Sequence, residues 1–350
     1  MVSGFELALG ELCDEGKLLS GQLLARLSGL SRAERDAFVQ CWQGLNVERR
    51  REAIAKMVEL AEESFEIDFM VLFRSCLEDA DSVVRQHAIE GLWEDESANL
   101  VEPLLRLFST DPDAGVRAAA AMSLGRFVFL AECDELDAPR MAKIRQALER
   151  AIEDPQEDPE VIRRAIESIA YINDERVRGI IDRAYEQGDS RMRESAVFAM
   201  GRSADLIWSE AVLEELQDTS AAMRYEAVRA CGELQLKRAV GPLIRLVQDP
   251  DREVQGMAIW SLGQIGGERA RIALGRFAES DDELLSTAAL EALDELEFAV
   301  RPMDLLVYEV DETGYTEFEI MDEEGSDELG ELAHLDDEDG EWADDVLGVN

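Results

Sequence analysis

Histidine is almost missing from this chain of 350 residues: there are two, His87 and His334. The five cysteines (13, 41, 76, 133 and 231) are odd in number and form no Cys-x-x-Cys pair. With both ligand types so scarce, no dedicated metal site is expected. Gly-x-Ser-x-Gly, a phosphate-binding Gly-x-x-x-x-Gly-Lys loop and His-Glu-x-x-His are also lacking. The motifs of common hydrolases, nucleotide binders and metalloproteases are therefore excluded. Positive charge is scarce too. Lysine and arginine number 35 against 78 acidic residues, a net charge of −43. An acidic chain without a basic stripe argues against nucleic acid or an anionic membrane as partner, and it favours a protein partner with a basic surface. No unbroken apolar run approaches the length of a membrane span, and Glu6 and Glu11 interrupt any signal-like start. The cysteines fall mostly inside helical patterns and read as reduced thiols, so a cytoplasmic location is expected. No cofactor is expected.

What the chain has is a repeat. Ala53, Ala88, Ala120, Ala165, Ala196, Ala227, Ala258 and Ala289 are separated by 35, 32, 45, 31, 31, 31 and 31 residues. A fixed period of this size marks supersecondary units that bury their apolar faces by stacking. Around the alanines, apolar residues recur four before (Arg49 in the first repeat excepted), one after and four after, the stripe of an amphipathic helix. Seven before each alanine stand Asn46, Asp81, Asp113, Asp158, Asp189, Ser220, Asp251 and Asp282. All accept hydrogen bonds readily, so this column predicts the N-caps. Three after the alanine the residue is small in every repeat but the first, which has Lys56. Gly125, Gly201, Gly232 and Gly263 are expected to close their helices.

A shorter helix precedes each capped one. Pro103-Leu-Leu-Arg-Leu-Phe108 and Pro242-Leu-Ile-Arg-Leu-Val247 are its clearest copies. Ser31-Arg-Ala-Glu34 is a capping box that opens the first of them. The expected fold is all-α: a right-handed α-solenoid of about eight antiparallel helix pairs over residues 31–298, behind an N-terminal helical cap at 1–30. An insertion near 127–140 lengthens one interval by fourteen residues and is expected to form an extended helix end and a long edge loop. From residue 302 onward there are nineteen acidic residues and no lysine or arginine. A small hairpin is expected at 299–322, then a disordered acidic tail at 323–350.

The pattern Asp-x-x-Val-Arg-x-x-Ala-x-x-x-Leu-Gly, carried by Asp113 to Gly125, resembles the HEAT repeats of the phycobilisome-lyase-like bacterial type. The resemblance covers about three quarters of the chain. It implies a scaffold or adaptor or, alternatively, a chromophore-lyase-like subunit. The di-iron hydroxylases of the same superfamily hold their metal with several His-Glu pairs, which this chain lacks. The resemblance also implies that Arg85, Arg117, Arg193 and Arg224 pair with acidic loop residues between repeats. Ile162, Gln255 and Ser286 occupy the same column, and there the ladder is expected to be interrupted.

In such arrays the second helix of each pair lines the concave side. The face opposite the buried stripe lies two after, and one and two before, each alanine. It carries Phe198, Tyr225, Arg229, Met257 and Trp260, a composition suited to a partner-binding strip. The expected function is therefore a non-catalytic protein-interaction scaffold.

Overall fold

The computed structural model describes residues 4–64 and 66–300, with side chains described through Glu297. The expected acidic tail and residues 301–322 of the expected hairpin lie outside the described residues, whereas 299 and 300 are helical. Within them the chain is all-α. An N-terminal segment holds α1 (Gly4–Leu12) and α2 (Gly21–Leu24). Eight helix pairs follow. The first four are α3 (Arg32–Gly44) with α4 (Val47–Glu63), α5 (Met70–Cys76) with α6 (Ser82–Glu90), α7 (Val101–Thr110) with α8 (Ala114–Glu132), and α9 (Ala138–Glu153) with α10 (Pro159–Ile169). The others are α11 (Glu175–Gln187) with α12 (Ser190–Arg202), α13 (Ser209–Glu215) with α14 (Ala221–Glu233), α15 (Val240–Leu246) with α16 (Arg252–Ile265), and α17 (Glu268–Ala278) with α18 (Glu283–Val300). Two compact units divide the chain at Ala239 and Val240. The first holds six pairs and the second holds two.

Every residue of the alanine column has no exposed surface. In the first unit α4, α6, α8, α10, α12 and α14 pack in succession, and in the second α16 packs on α18. All eight predicted N-caps accept from a backbone N–H in the first turn, as Asp113 does from Val116 at 3.1 Å and Asp251 from Glu253 at 2.9 Å. Each satisfies a donor that the helix start leaves unpaired.

The repeat glycines do something other than close helices. Gly125, Gly201, Gly232 and Gly263 lie inside α8, α12, α14 and α16. A Cβ on Gly201 would stand 2.9 Å from Ala230 Cα, one on Gly125 3.0 Å from Ser168 Cβ, and one on Gly263 3.1 Å from Ala292 Cβ. Gly125, Gly201 and Gly263 thus each meet the small residue three after the alanine of the next repeat, and the pair sets how closely the helices approach. Left-handed residues beyond the helix ends take the capping role instead: Ala204 (φ 51°), Gln235 (φ 51°) and Gly266 (φ 64°).

The insertion is mostly helix. It lengthens α8 to nineteen residues, turns at Asp134 (φ 62°), and enters α9 after Asp137, so the expected long loop is a short turn. Phe127, Val128 and Leu130 in the extension are buried. Among the described residues, α8 alone is long and apolar enough to cross a membrane, at mean hydropathy 1.3, and half of that window is buried in the protein.

The first repeat departs from the pattern, and the structure shows why. Arg49, where the other repeats place an apolar residue, is buried and donates to the carbonyls of Glu11 (2.9 Å), Leu12 (3.3 Å), Asp14 (3.2 Å) and Lys17 (2.8 Å). Lys56, the exception to the small column, donates to Leu19 O at 3.0 Å. Both hold the N-terminal segment. Cys13 and Cys41 form a disulfide with Cα atoms 6.1 Å apart, which corrects the expectation of five reduced thiols. The packing of α1 on α3 brings these two within bridging reach. Cys76 and Cys231 are buried free thiols, and burial pushes Cys231 up to about 12.

Gly201→Ala should lower stability by about 1–3 kcal/mol, because the helices it separates cannot both stay in place. Gly256→Ala, also in a helix but with nothing within 4 Å of the added Cβ, should be neutral or stabilise by up to about 1 kcal/mol. Urea denaturation followed by circular dichroism checks both signs.

Candidate functional site

The arginine ladder lies between repeats. Arg85 grips Asp111 through two bonds of 2.8 and 2.7 Å, with both side chains buried. Arg117 pairs with Glu157 at 2.7 Å and Arg193 with Glu215 at 2.7 Å. Arg50 holds the same position in the first repeat, where it pairs with Asp79 at 3.2 Å. A second contact is shared: Arg85, Arg117 and Arg224 each donate to the carbonyl six residues earlier, in the turn before their own helix. No arginine stands at Gln255 or Ser286, where a neutral side chain holds a carbonyl instead. Gln255 donates to Asp249 O at 2.5 Å and Ser286 to Ala278 O at 2.7 Å, so the polar anchor survives where the charge does not. At the Ile162 gap, the neighbouring Arg163 is buried and donates to Arg191 O and Ser195 Oγ, at 3.0 and 2.9 Å.

On the opposite face, positions two and six after each alanine lie one turn apart along the helix. They place Phe198 and Arg202 on α12, Arg229 and Glu233 on α14, and Tyr171 just beyond α10. The Arg229 guanidinium stacks on the Phe198 ring 3.8 Å from its centroid, and Arg202 lies 5.2 Å from the same ring. Arg202 also donates to Tyr171 Oη at 2.9 Å, and Tyr171 packs on Phe129 of the α8 extension, with centroids 5.3 Å apart. A continuous row therefore runs Phe129, Tyr171, Arg202, Phe198, Arg229.

Carboxylates hold the row in place. Arg229 donates to Glu226 at 2.9 Å and Glu233 at 2.6 Å, and Arg202 lies 3.3 Å from Glu233. Glu167, on α10, accepts from Arg164 at 2.8 Å and Ser195 at 2.6 Å. Glu233 keeps one oxygen buried without a hydrogen-bond partner, against the space that Gly201 leaves. Burial raises Glu226 and Glu233 above the ordinary 4.5, and Arg229 offsets part of this for both.

The predicted strip is thus divided in its environment. Phe198 and Tyr225 are partly exposed on the first unit, whereas Arg229 is buried beneath its stack. Met257 and Trp260 are partly exposed on α16 of the second unit. Sequence reasoning missed Tyr171, Arg202 and Glu233, although the column six after the alanine would have found them. Phe129 was hidden in the insertion. His87 bonds Glu90 at 2.7 Å along its own helix. Among the described residues, no group of three or more metal-binding side chains is assembled.

The family model described as HEAT repeats matches residues 71–147 and 209–294. Within those two stretches the helix pairs match HEAT repeats. None of the curated proteins matches. Among solved structures, the chain is similar to the CpcE–CpcF complex of phycocyanin lyase from Nostoc sp. PCC7120, at 16% identity and TM-score 0.48, over 81% of this chain and 97% of that one. It is also similar to human deoxyhypusine hydroxylase, at 17% identity and TM-score 0.34 over 84% and 96%, and to yeast importin-beta, at 12% and 0.47 over 86% and 47%.

Because the folded state binds the Glu226 and Glu233 protons more tightly than the unfolded chain, acidification from neutrality stabilises the fold through these groups. That contribution is lost as pH rises through the folded pKa values. Glu233→Gln removes one titration. The stability of the parent minus that of the variant should therefore grow as pH falls from about 7 to about 5. A flat or falling difference in thermal melts would show that Glu233 is not raised.

Proposed function

We propose that this HEAT-repeat chain is a non-catalytic scaffold that holds a protein partner with a basic surface on the second-helix face of its repeats. The row of Phe129, Tyr171, Arg202, Phe198 and Arg229 carries this reading. Aromatic rings and guanidinium groups dominate binding hot spots. Here they are already fixed by stacking and by Glu226 and Glu233, so little side-chain freedom remains to be lost on association. Met257 and Trp260 offer the same kind of group on the second unit. The net charge of −43 favours the approach of a cationic partner.

The test is capture of partners by the tagged full chain from its own cells, with identification by mass spectrometry and affinity measurement. Phe198→Ala and Arg202→Ala should each weaken binding by about 2 kcal/mol without loss of helical signal. Added salt should weaken it further. Affinity indifferent to these two changes and to Trp260→Ala would refute the assignment of the face. A coloured complex on co-expression with a bilin would replace the scaffold by a lyase-like role.

A further inference from the structure

Met122 and Phe129 stand seven residues apart on one face of α8, 56% and 48% exposed. Trp93, in the turn after α6, is 57% exposed. Arg126 lies between the two α8 residues and donates to Leu92 O at 3.1 Å and Asp95 O at 3.0 Å. These bonds pin the turn that carries Trp93 against α8. Three large apolar side chains are therefore exposed together at the open end of the row, next to the Phe129–Tyr171 contact. An apolar cluster of this kind on a protein surface marks an interaction site.

The exposed charge along the two segments that carry it is negative. From His87 to Leu105 the chain has no lysine or arginine, and from Ala118 to Pro139 it has only Arg126, already turned onto carbonyls. Glu90, Glu94, Glu96, Glu132 and Glu135 are exposed along the same segments. Seven residues of helix span about 10.5 Å, a distance that apolar side chains two turns apart on a partner helix reproduce.

We propose that Trp93, Met122 and Phe129 form a docking surface for a helical segment of a partner protein, with apolar side chains one to two turns apart and lysine or arginine at its flanks. This inference rests on the reading of the chain as a protein-binding scaffold and specifies one of its contacts.

Three fluorescein-labelled synthetic helices test it against the full chain by anisotropy. One carries a leucine stripe with lysines, one the same stripe with glutamates, and one lysines with alanine in place of leucine. The leucine–lysine helix should bind saturably, and Trp93→Phe should remove most of the accompanying blue shift in tryptophan emission. Met122→Ala with Phe129→Ala, and separately Met122→Gln, should weaken binding at least tenfold with melting unchanged, whereas Leu206→Ala, at an exposed apolar residue outside the row, should leave it within twofold. Equal binding of the glutamate or alanine helix overturns the proposal, as does affinity indifferent to the α8 variants. A natural partner that depends on Phe198 and Arg202 but ignores Met122 and Phe129 also overturns it, while leaving the scaffold reading intact. Intact leucine–lysine binding with no natural partner would refute the scaffold reading alone.

Discussion

The structure depends on how closely one second helix can approach the next. At three of the junctions within the units a glycine in one helix faces a small residue in its successor: Gly125 faces Ser168, Gly201 faces Ala230 and Gly263 faces Ala292. The alanine column lies beside that contact without exposed surface. Interiors this close-packed have no room for a methylene, so the period of the sequence is a steric requirement before it is anything else. Once the helices are seated at this separation, residues two and six after each alanine come within reach across repeats. The stacking of Arg229 on Phe198 follows from this approach.

A second constraint acts at the turns. Each helix pair leaves carbonyls at the turn between its helices, and in the repeats of Arg50, Arg85, Arg117, Arg224, Gln255 and Ser286 the residue three before the alanine supplies a donor for one of them. Arginine adds a charge pair with the following repeat, most completely between Arg85 and Asp111. Glutamine and serine keep only the bond to the carbonyl. The ladder therefore grades from ionic to neutral along the chain, and it is the hydrogen bond that persists. This agrees with the high cost of leaving a buried backbone acceptor unpaired.

The all-α fold, the number of pairs, the caps and the buried column were legible because they are periodic, and a periodic signal is read many times over. The errors fall where one residue type has two uses. Glycine both ends helices and lets them touch; the spacing of Gly201 from its alanine did not say which, and only the position of Ala230 did. Gln255 looked like a break because it lacks charge, although its amide makes the bond that mattered. Arg229 was placed correctly on its face but expected at the surface, since nothing in one helix reveals that Glu226, Glu233 and Phe198 enclose it. Phe129 and the Cys13–Cys41 bridge lie outside the repeat altogether and depend on contacts that no spacing encodes.

The way Arg49 and Lys56 grip the N-terminal segment has a consequence for mutational tolerance. The carbonyls of Glu11, Leu12, Asp14, Lys17 and Leu19 that they hold are main-chain groups, present whatever side chain each residue bears. The polar specificity of these five bonds therefore resides on the array side. At Glu11, Asp14 and Lys17, whose side chains are not buried, the segment is free to drift in sequence while its path stays fixed, although Leu12 and Leu19 remain bound to the core by their burial; a change at Arg49 alone would release four anchor points at once. Two neighbouring stretches of one chain thus stand under very unequal selective constraint, although they share a single contact.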